Sequence, residues 1–239
     1  MFKSFEATIQ RGQEPVAADF RPPGNELLVA FGGISAGLGM PPFEFFRIAT
    51  TIPTKRLFVR DLQQVWYHGG LPGVSDSVET TCTFLRTQIA DQGINHSMFV
   101  GNSMGAYAAI LFGAMLRVDV VHAFSPQTFL DPGRRLLHGD LRWTRRFLRL
   151  YARQGVTSPF FDLRRVLVSQ GTLPRIHLHF DESHPLDRAH CQRLEGLSNV
   201  VLHPHRAGGH MLVRHLRDQG LLADILQEGR PLVPGLHAA

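Results

Sequence analysis

Cysteine and lysine are scarce in this chain. Of its 239 residues only Cys82 and Cys191 are cysteines, far apart and each within a helix-like pattern. That excludes a disulfide-stapled scaffold and points to buried free thiols. Lys3 and Lys55 are the only lysines among 25 basic residues, so the net charge of +5 is carried by arginine. No apolar run approaches the roughly twenty residues of a membrane span, and no charged-then-apolar leader opens the sequence. A cytoplasmic protein without a membrane span is expected. With 44% hydrophobic and 19% charged residues the composition excludes a disordered or collagen-like chain. There is no internal repeat and no low-complexity segment. The length suits a single α/β domain over residues 1–239.

What the chain does contain is organised around Gly101-Asn102-Ser103-Met104-Gly105. The apolar run Met98-Phe99-Val100 leads in, and the small residues Ala106, Ala108, Ala109, Gly113 and Ala114 lead out. That reads as strand, sharp turn, helix. A G-x-S-x-G in such a turn is a nucleophile elbow, with Ser103 exposed at the carboxyl end of a strand. The first N–H of the helix, at Met104, suits the oxyanion formed when an acyl carbonyl is attacked.

Residues 1–26 read as an extended lead-in with an edge strand at Ser4–Ile9, and Leu27–Phe31 is a strand buried on both faces. Gly32-Gly33-Ile34 follows at once. Gly33 is the expected second oxyanion donor beside Met104, with an ordinary tight turn as the alternative. A short helix over Pro41–Thr50 and a strand over Arg56–Arg60 precede the loop Asp61–Gly73. Trp66, Tyr67 and His68 in that loop either line a substrate pocket, with Ile34 and Asn102, or pack the loop down. An amphipathic helix runs from Ser75 or Asp76 to Gly93, and the helix after Ser103 runs to Leu116. Val118–Phe124, Arg175–Phe180 and Asn199–His203 are the later strands, closed by two helices from Met211 and Leu221.

Residues 127–172 contain no convincing strand. Trp143, Phe147, Leu150 and Tyr151 recur on one helical face, which reads as a helical cap inserted over the active-site edge. Nine arginines and two acids lie within 134–165, a local balance of +7. They form either a solvated helix face or a docking surface for something anionic, such as an acidic carrier protein, a coenzyme A phosphate, or an acidic lipid or glycan. No nucleic-acid motif accompanies the charge, so nucleic acid is not an expected partner.

Ser103, the acids Asp181 and Asp187, and His210 follow successive strands in the order Ser, Asp, His. In a parallel sheet these positions share the carboxyl edge. His210, preceded by two glycines, is the expected general base. Asp187 is favoured over Asp181 as its acid, with helix capping as the alternative role for Asp187. His184 occupies the position where a glycine-then-acid register would put the carboxylate. The pairs His177/His179 and His203/His205 each project to one strand face, but no spacing supplies a third metal ligand. Neither a metal nor a cofactor is expected.

Through Phe31-Gly32-Gly33, the Gly101–Gly105 elbow and Gly208-Gly209-His210, the chain resembles the α/β-hydrolase superfamily over residues 27–228. Segments 66–73, 123–129, 187–194 and 208–220 are similar to bacterial α/β-hydrolase-like proteins without assigned substrates, some linked to glycan biosynthesis. The resemblance implies a mainly parallel sheet of about six to eight strands flanked by helices. The function expected is a serine hydrolase acting on a small-molecule carboxylic ester or thioester through an acyl-enzyme. The alternatives are an acyltransferase or thioesterase using carrier-bound acyl groups, and a non-catalytic binding protein that keeps the fold.

Overall fold

The computed structural model describes residue 5, residues 14–34 and residues 45–228. Their strands are β1 (Val16–Asp19), β2 (Glu26–Phe31), β3 (Lys55–Val59), β4 (His96–Asn102), β5 (Val120–Phe124), β6 (Arg175–Asp181) and β7 (Val200–His205). They form a seven-stranded sheet in the order β1-β3-β2-β4-β5-β6-β7. β1 is antiparallel to β3, and all other pairings are parallel.

The central strands are apolar along their whole length because both faces are covered. Leu27, Val29 and Phe31 of β2 point into one core and Leu28 and Ala30 into the other, the two-residue period of a strand. The first core is completed by α2 (Val78–Asp91), α3 (Met104–Leu116), the β5–β6 insertion and α7 (Pro185–Gln192). The second is closed by α1 (Phe46–Ala49), α8 (Leu212–Asp218) and α9 (Leu221–Glu228). Every residue of α3 from Met104 to Ala114 is buried, as an all-round apolar helix requires. Among the described residues no helix is long and apolar enough to cross a membrane.

Of the expected edge strand Ser4–Ile9 only Phe5 is described; it has helical backbone, and its ring packs on Phe46 and Phe58. The edge strand is β1, a run with two alanines that carries no β-propensity signal; it is pinned where Asp19 lies opposite Arg56 and accepts a 3.1 Å ion pair from it. Of the expected helix Pro41–Thr50, residues 41–44, with Phe43, lie outside the described residues, while Phe46 and Ile48 pack on the second core. The α2 cap is Ser77, one residue past the expected Asp76, because Ser77 and Thr80 bond each other's backbone N–H in a capping box. β7 runs on through Pro204, which an edge strand tolerates. Cys82 and Cys191 are buried free thiols.

The β5–β6 insertion holds α4 (Pro132–Leu137), α5 (Thr144–Gln154) and α6 (Leu163–Ser169). Phe147 and Leu150 of α5 are buried, and Trp143 and Tyr151 pack beside them, as the spacing predicts. The arginines do more than face water. Arg135 lies over the Phe147 ring at 3.4 Å, and Arg134 pairs with Asp162 at 3.3 Å. Arg146 and Arg153 donate to Gln64 and Gln63 of the loop after β3. Arg164 donates to the Arg193 and Glu195 carbonyls beyond α7. Arg146, Arg153 and Arg164 therefore fasten the insertion to the sheet domain, Arg134 and Arg135 brace it internally, and Arg145, Arg149 and Arg165 are exposed.

Candidate active site

Ser103 directly follows β4 and is buried rather than exposed, with φ 54° and ψ −115°, a conformation that costs a non-glycine residue about 1–3 kcal/mol. The surroundings hold it there. A side chain on Gly101 would collide with the Gly105 carbonyl, and one on Gly105 with the Phe31 carbonyl. Both glycines let β2, β4 and α3 approach closely. The end of β2 thus lies against the start of α3, with Gly33 one residue beyond Gly32 and Met104 the first residue of the helix. The N–H of a first helical residue has no partner within its own helix.

His210 reaches this turn on a short 3-10 segment, Gly209–Met211, entered through left-handed Gly208 at φ 108°. Its Nε2 lies 3.0 Å from Ser103 Oγ. Its Nδ1 lies 2.8 and 3.0 Å from the two Asp187 carboxylate oxygens. With Asp187 ionised, Nδ1 carries the proton and Nε2 is left to accept from the serine hydroxyl. Asp187 sits in the first turn of α7, whose N-cap is His184 rather than Asp187 itself: His184 Nδ1 accepts from the Asp187 N–H at 3.2 Å. The aspartate side chain is thereby freed for His210. Burial pushes the Asp187 carboxyl up, but hydrogen bonding and charge from His210, then from Arg142, outweigh it and hold the group below the usual carboxylate range.

Asp181 lies elsewhere. It accepts from the Ser183 N–H, the Ser183 hydroxyl and, at 2.7 Å, the Gly209 N–H. It fixes the loop that carries His210 without touching the imidazole.

Trp66, Tyr67 and His68 are buried; Trp66 and Tyr67 pack the loop down, whereas His68 also reaches a cleft. The buried Asp61 carboxylate accepts from the N–H groups of Gln63, Val65 and Tyr67, winding the loop through left-handed Gln64, Trp66 and Tyr67. Trp66 stacks on Phe147 at 3.9 Å and donates to Gln127, tying the loop to the insertion. The Tyr67 hydroxyl donates to the Gly32 carbonyl at 2.8 Å. His68 Nε2 meets the Tyr107 hydroxyl at 2.9 Å, and the ring borders a cleft of about 200 Å³ with Gln154 and Phe160. Ile34 packs half-buried on the first core, and Asn102 is the half-buried last residue of β4.

The paired histidines face one another instead of a common centre. His177 Nδ1 meets His203 Nε2 at 2.8 Å, and His179 bonds His122 at 3.2 Å and His205 at 3.4 Å. Among the described residues no three His, Cys, Asp or Glu side chains are placed to hold a metal ion.

Sequence reasoning missed Arg142. It comes from the insertion, between α4 and α5, and its Nη1 donates to Asp187 Oδ1 at 2.7 Å. Its Nε and Nη2 grip Asp140 at 3.0 and 2.9 Å. Asp140 in turn accepts from His190 Nε2 at 3.1 Å, and His190 Nδ1 accepts from the Thr128 N–H.

No family model and no curated protein matches the sequence. Solved structures are similar to it. The capsule O-acetyltransferase of Neisseria meningitidis serogroup A superposes with a TM-score of 0.63 at 14% identity, over 89% of this chain and 90% of that one. The fluorophosphonate-binding serine hydrolase FphF of Staphylococcus aureus gives 0.59 at 14%, over 87% and 85%. A chain of the glycosylation-associated Gap123 complex from Streptococcus agalactiae gives 0.61 at 18%, over 89% of this chain but 43% of that one. With its mostly parallel seven-stranded sheet flanked by helices, the chain has the α/β-hydrolase fold.

Proposed function

We propose that the protein is a serine-dependent acyl hydrolase or acyl transferase. The observation that carries this is the hydrogen-bonded line Asp187–His210–Ser103, with 2.8 Å and 3.0 Å links, ending on a serine in a strained strand-to-helix turn. His210 Nε2 takes the Oγ proton as Oγ bonds to the acyl carbon, and Asp187 stabilises the imidazolium that results. The Gly33 and Met104 N–H groups hold the oxyanion. Collapse expels the leaving group with the proton from His210, and an acyl-enzyme remains. Water or an alcohol then attacks it, giving up its proton to His210, and Ser103 is released. The insertion acts as a cap over this edge, and an anionic carrier would meet Arg145 and Arg149.

Hydrolysis of a carboxylic ester or thioester is the first reading. Transfer is the second, supported by likeness to a protein named as a capsule O-acetyltransferase over 89% of this chain. The choice rests on whether water or another acceptor reaches the acyl-enzyme.

The role of the acid is tested on 4-nitrophenyl acetate with Asp187→Asn and Asp181→Asn. Asp187→Asn is expected to lower kcat/KM about 10,000-fold, because His210 then loses its tautomer and its counter-charge. Asp181→Asn removes hydrogen-bond strength from a loop and is expected to cost about tenfold at most. Equal losses from the two variants would remove Asp187 from the site.

A further inference from the structure

Arg142 donates to the carboxylate that the proposed reaction uses to orient its base, yet it belongs to neither the elbow nor the strand edge. Its guanidinium is mostly enclosed, with 18% of the side chain accessible, and it bridges two buried carboxylates. Nη1 occupies Asp187 Oδ1, leaving Oδ2 as the nearer partner of His210 Nδ1. The fork of Nε and Nη2 on Asp140 fixes the angle at which Nη1 arrives. Nη1 also lies 3.4 Å from His210 Nδ1; with Nδ1–H committed to Asp187, this is an approach of two donors to one carboxylate.

We infer that Arg142 is a positioning residue: carried by the insertion, it orients the Asp187 carboxylate and moderates its charge, so that seating of the insertion and the basicity of the Ser103–His210 pair are coupled. The inference rests on the proposed acyl-transfer reading.

The electrostatics fix a sign. The groups facing Asp187 and His210 are Arg142 and Asp140 from the insertion, His184, His190 and Cys191 from α7 and its cap, and Ser103 from the elbow. His190, wholly buried, is held neutral by burial despite Asp140, and the Cys191 thiol is pushed up by burial and by Asp187. Asp187, Asp140 and the guanidinium therefore set the field at the imidazole from the insertion side, and Asp181, held on the Gly209 N–H, adds an anion that stays constant when Arg142 or Asp140 is changed. Without the guanidinium the imidazolium faces Asp187 and Asp140 unopposed, is favoured, and stops acting as a base at a higher pH.

The test is the rate of covalent labelling by a fluorophosphonate as a function of pH, which reads the base without a known substrate. Arg142→Gln is expected to move the acid-side midpoint about one pH unit upward, and Arg142→Lys, which keeps the cation, to restore most of the shift. A lower rate with an unmoved midpoint in folded Arg142→Gln would mean a purely structural arginine and overturns the inference. If Arg142→Gln does not fold, Asp140→Asn is read instead. It leaves the cation and removes the anion behind it, so the midpoint is expected to move downward; an unmoved or raised midpoint overturns the inference equally. Failure of wild type to label at any pH would sink the acyl-transfer reading itself, a result distinct from labelling with unmoved midpoints.

Discussion

Gly105 concentrates the constraints on the elbow in one position, because the Phe31 carbonyl occupies the place its side chain would take. Gly105→Ala is expected to cost about 3 kcal/mol through overpacking, lowering Tm by about 10 °C and slowing Ser103 labelling; an unchanged Tm would mean that β2 and α3 are not packed backbone to backbone at this point. This constraint is readable from sequence, since a glycine two residues after a serine at a strand end marks a helix that must start tight against its neighbouring strand. His210 is readable for a similar reason: two glycines after the last parallel strand serve a loop that must turn sharply. Arg142 is not readable. It is one of nine arginines between 134 and 165, and whether it points inward depends on a loop in which buried Asp140 and exposed Leu141 precede it, with no helical period to mark a face. Trp66, Tyr67 and His68 stay ambiguous in the sequence because three left-handed residues turn the loop into the core.

At the scale of elements, strands β5, β6 and β7 meet on one face of the sheet through histidine rings, while Val121, Ile176, Leu178 and their neighbours fill the other face. His179 stacks between Phe124 and His203, with centroids 4.6 Å from each. Burial, then neighbouring histidines, lowers His122 to about 3 and takes His179 well below the ordinary value of 6.5. Burial also lowers His68 to about 3 and, with His203 and Arg175, His177 to about 4. Between 6.5 and these values the unfolded chain binds protons that the fold refuses. Stability is therefore full above about pH 6.5 and falls as pH drops toward 4, by about 1.4 kcal/mol per pH unit for each such histidine. Asp19, Asp162, Asp181 and Asp187, each held by hydrogen bonds or arginines below the ordinary 3.8, lie outside that window. The urea midpoint is expected to fall markedly from pH 7 to pH 4.5, and His179→Phe to flatten that dependence. Equal midpoints at the two pH values would contradict neutral buried rings. The two His-x-His patterns are visible in the sequence, but a ring ladder needs the register that sets His122 beside His177 and His179 beside His203.

Across the whole molecule, the sheet and the insertion act as one unit. The sheet edge supplies Ser103, His210 and Asp187; the insertion supplies the cation on Asp187 and is fastened back to the sheet domain by Trp66 on Phe147, by Tyr107 donating to the Phe160 carbonyl at 2.8 Å, and by Asp162 pairing with Arg193. Of the nine arginines that read in the sequence as a solvated face or a docking surface, Arg142, Arg146, Arg153 and Arg164 also reach from the insertion to the sheet domain. Everything proposed for the site depends on Ser103 being an activated nucleophile, and intact-mass measurement after incubation with a fluorophosphonate tests that most directly, with Ser103→Ala alongside. One adduct is expected on the wild-type chain, mapped to the peptide holding Ser103 and missing from the variant. A well-folded wild type that gains no mass, or an adduct that persists in Ser103→Ala, would contradict it.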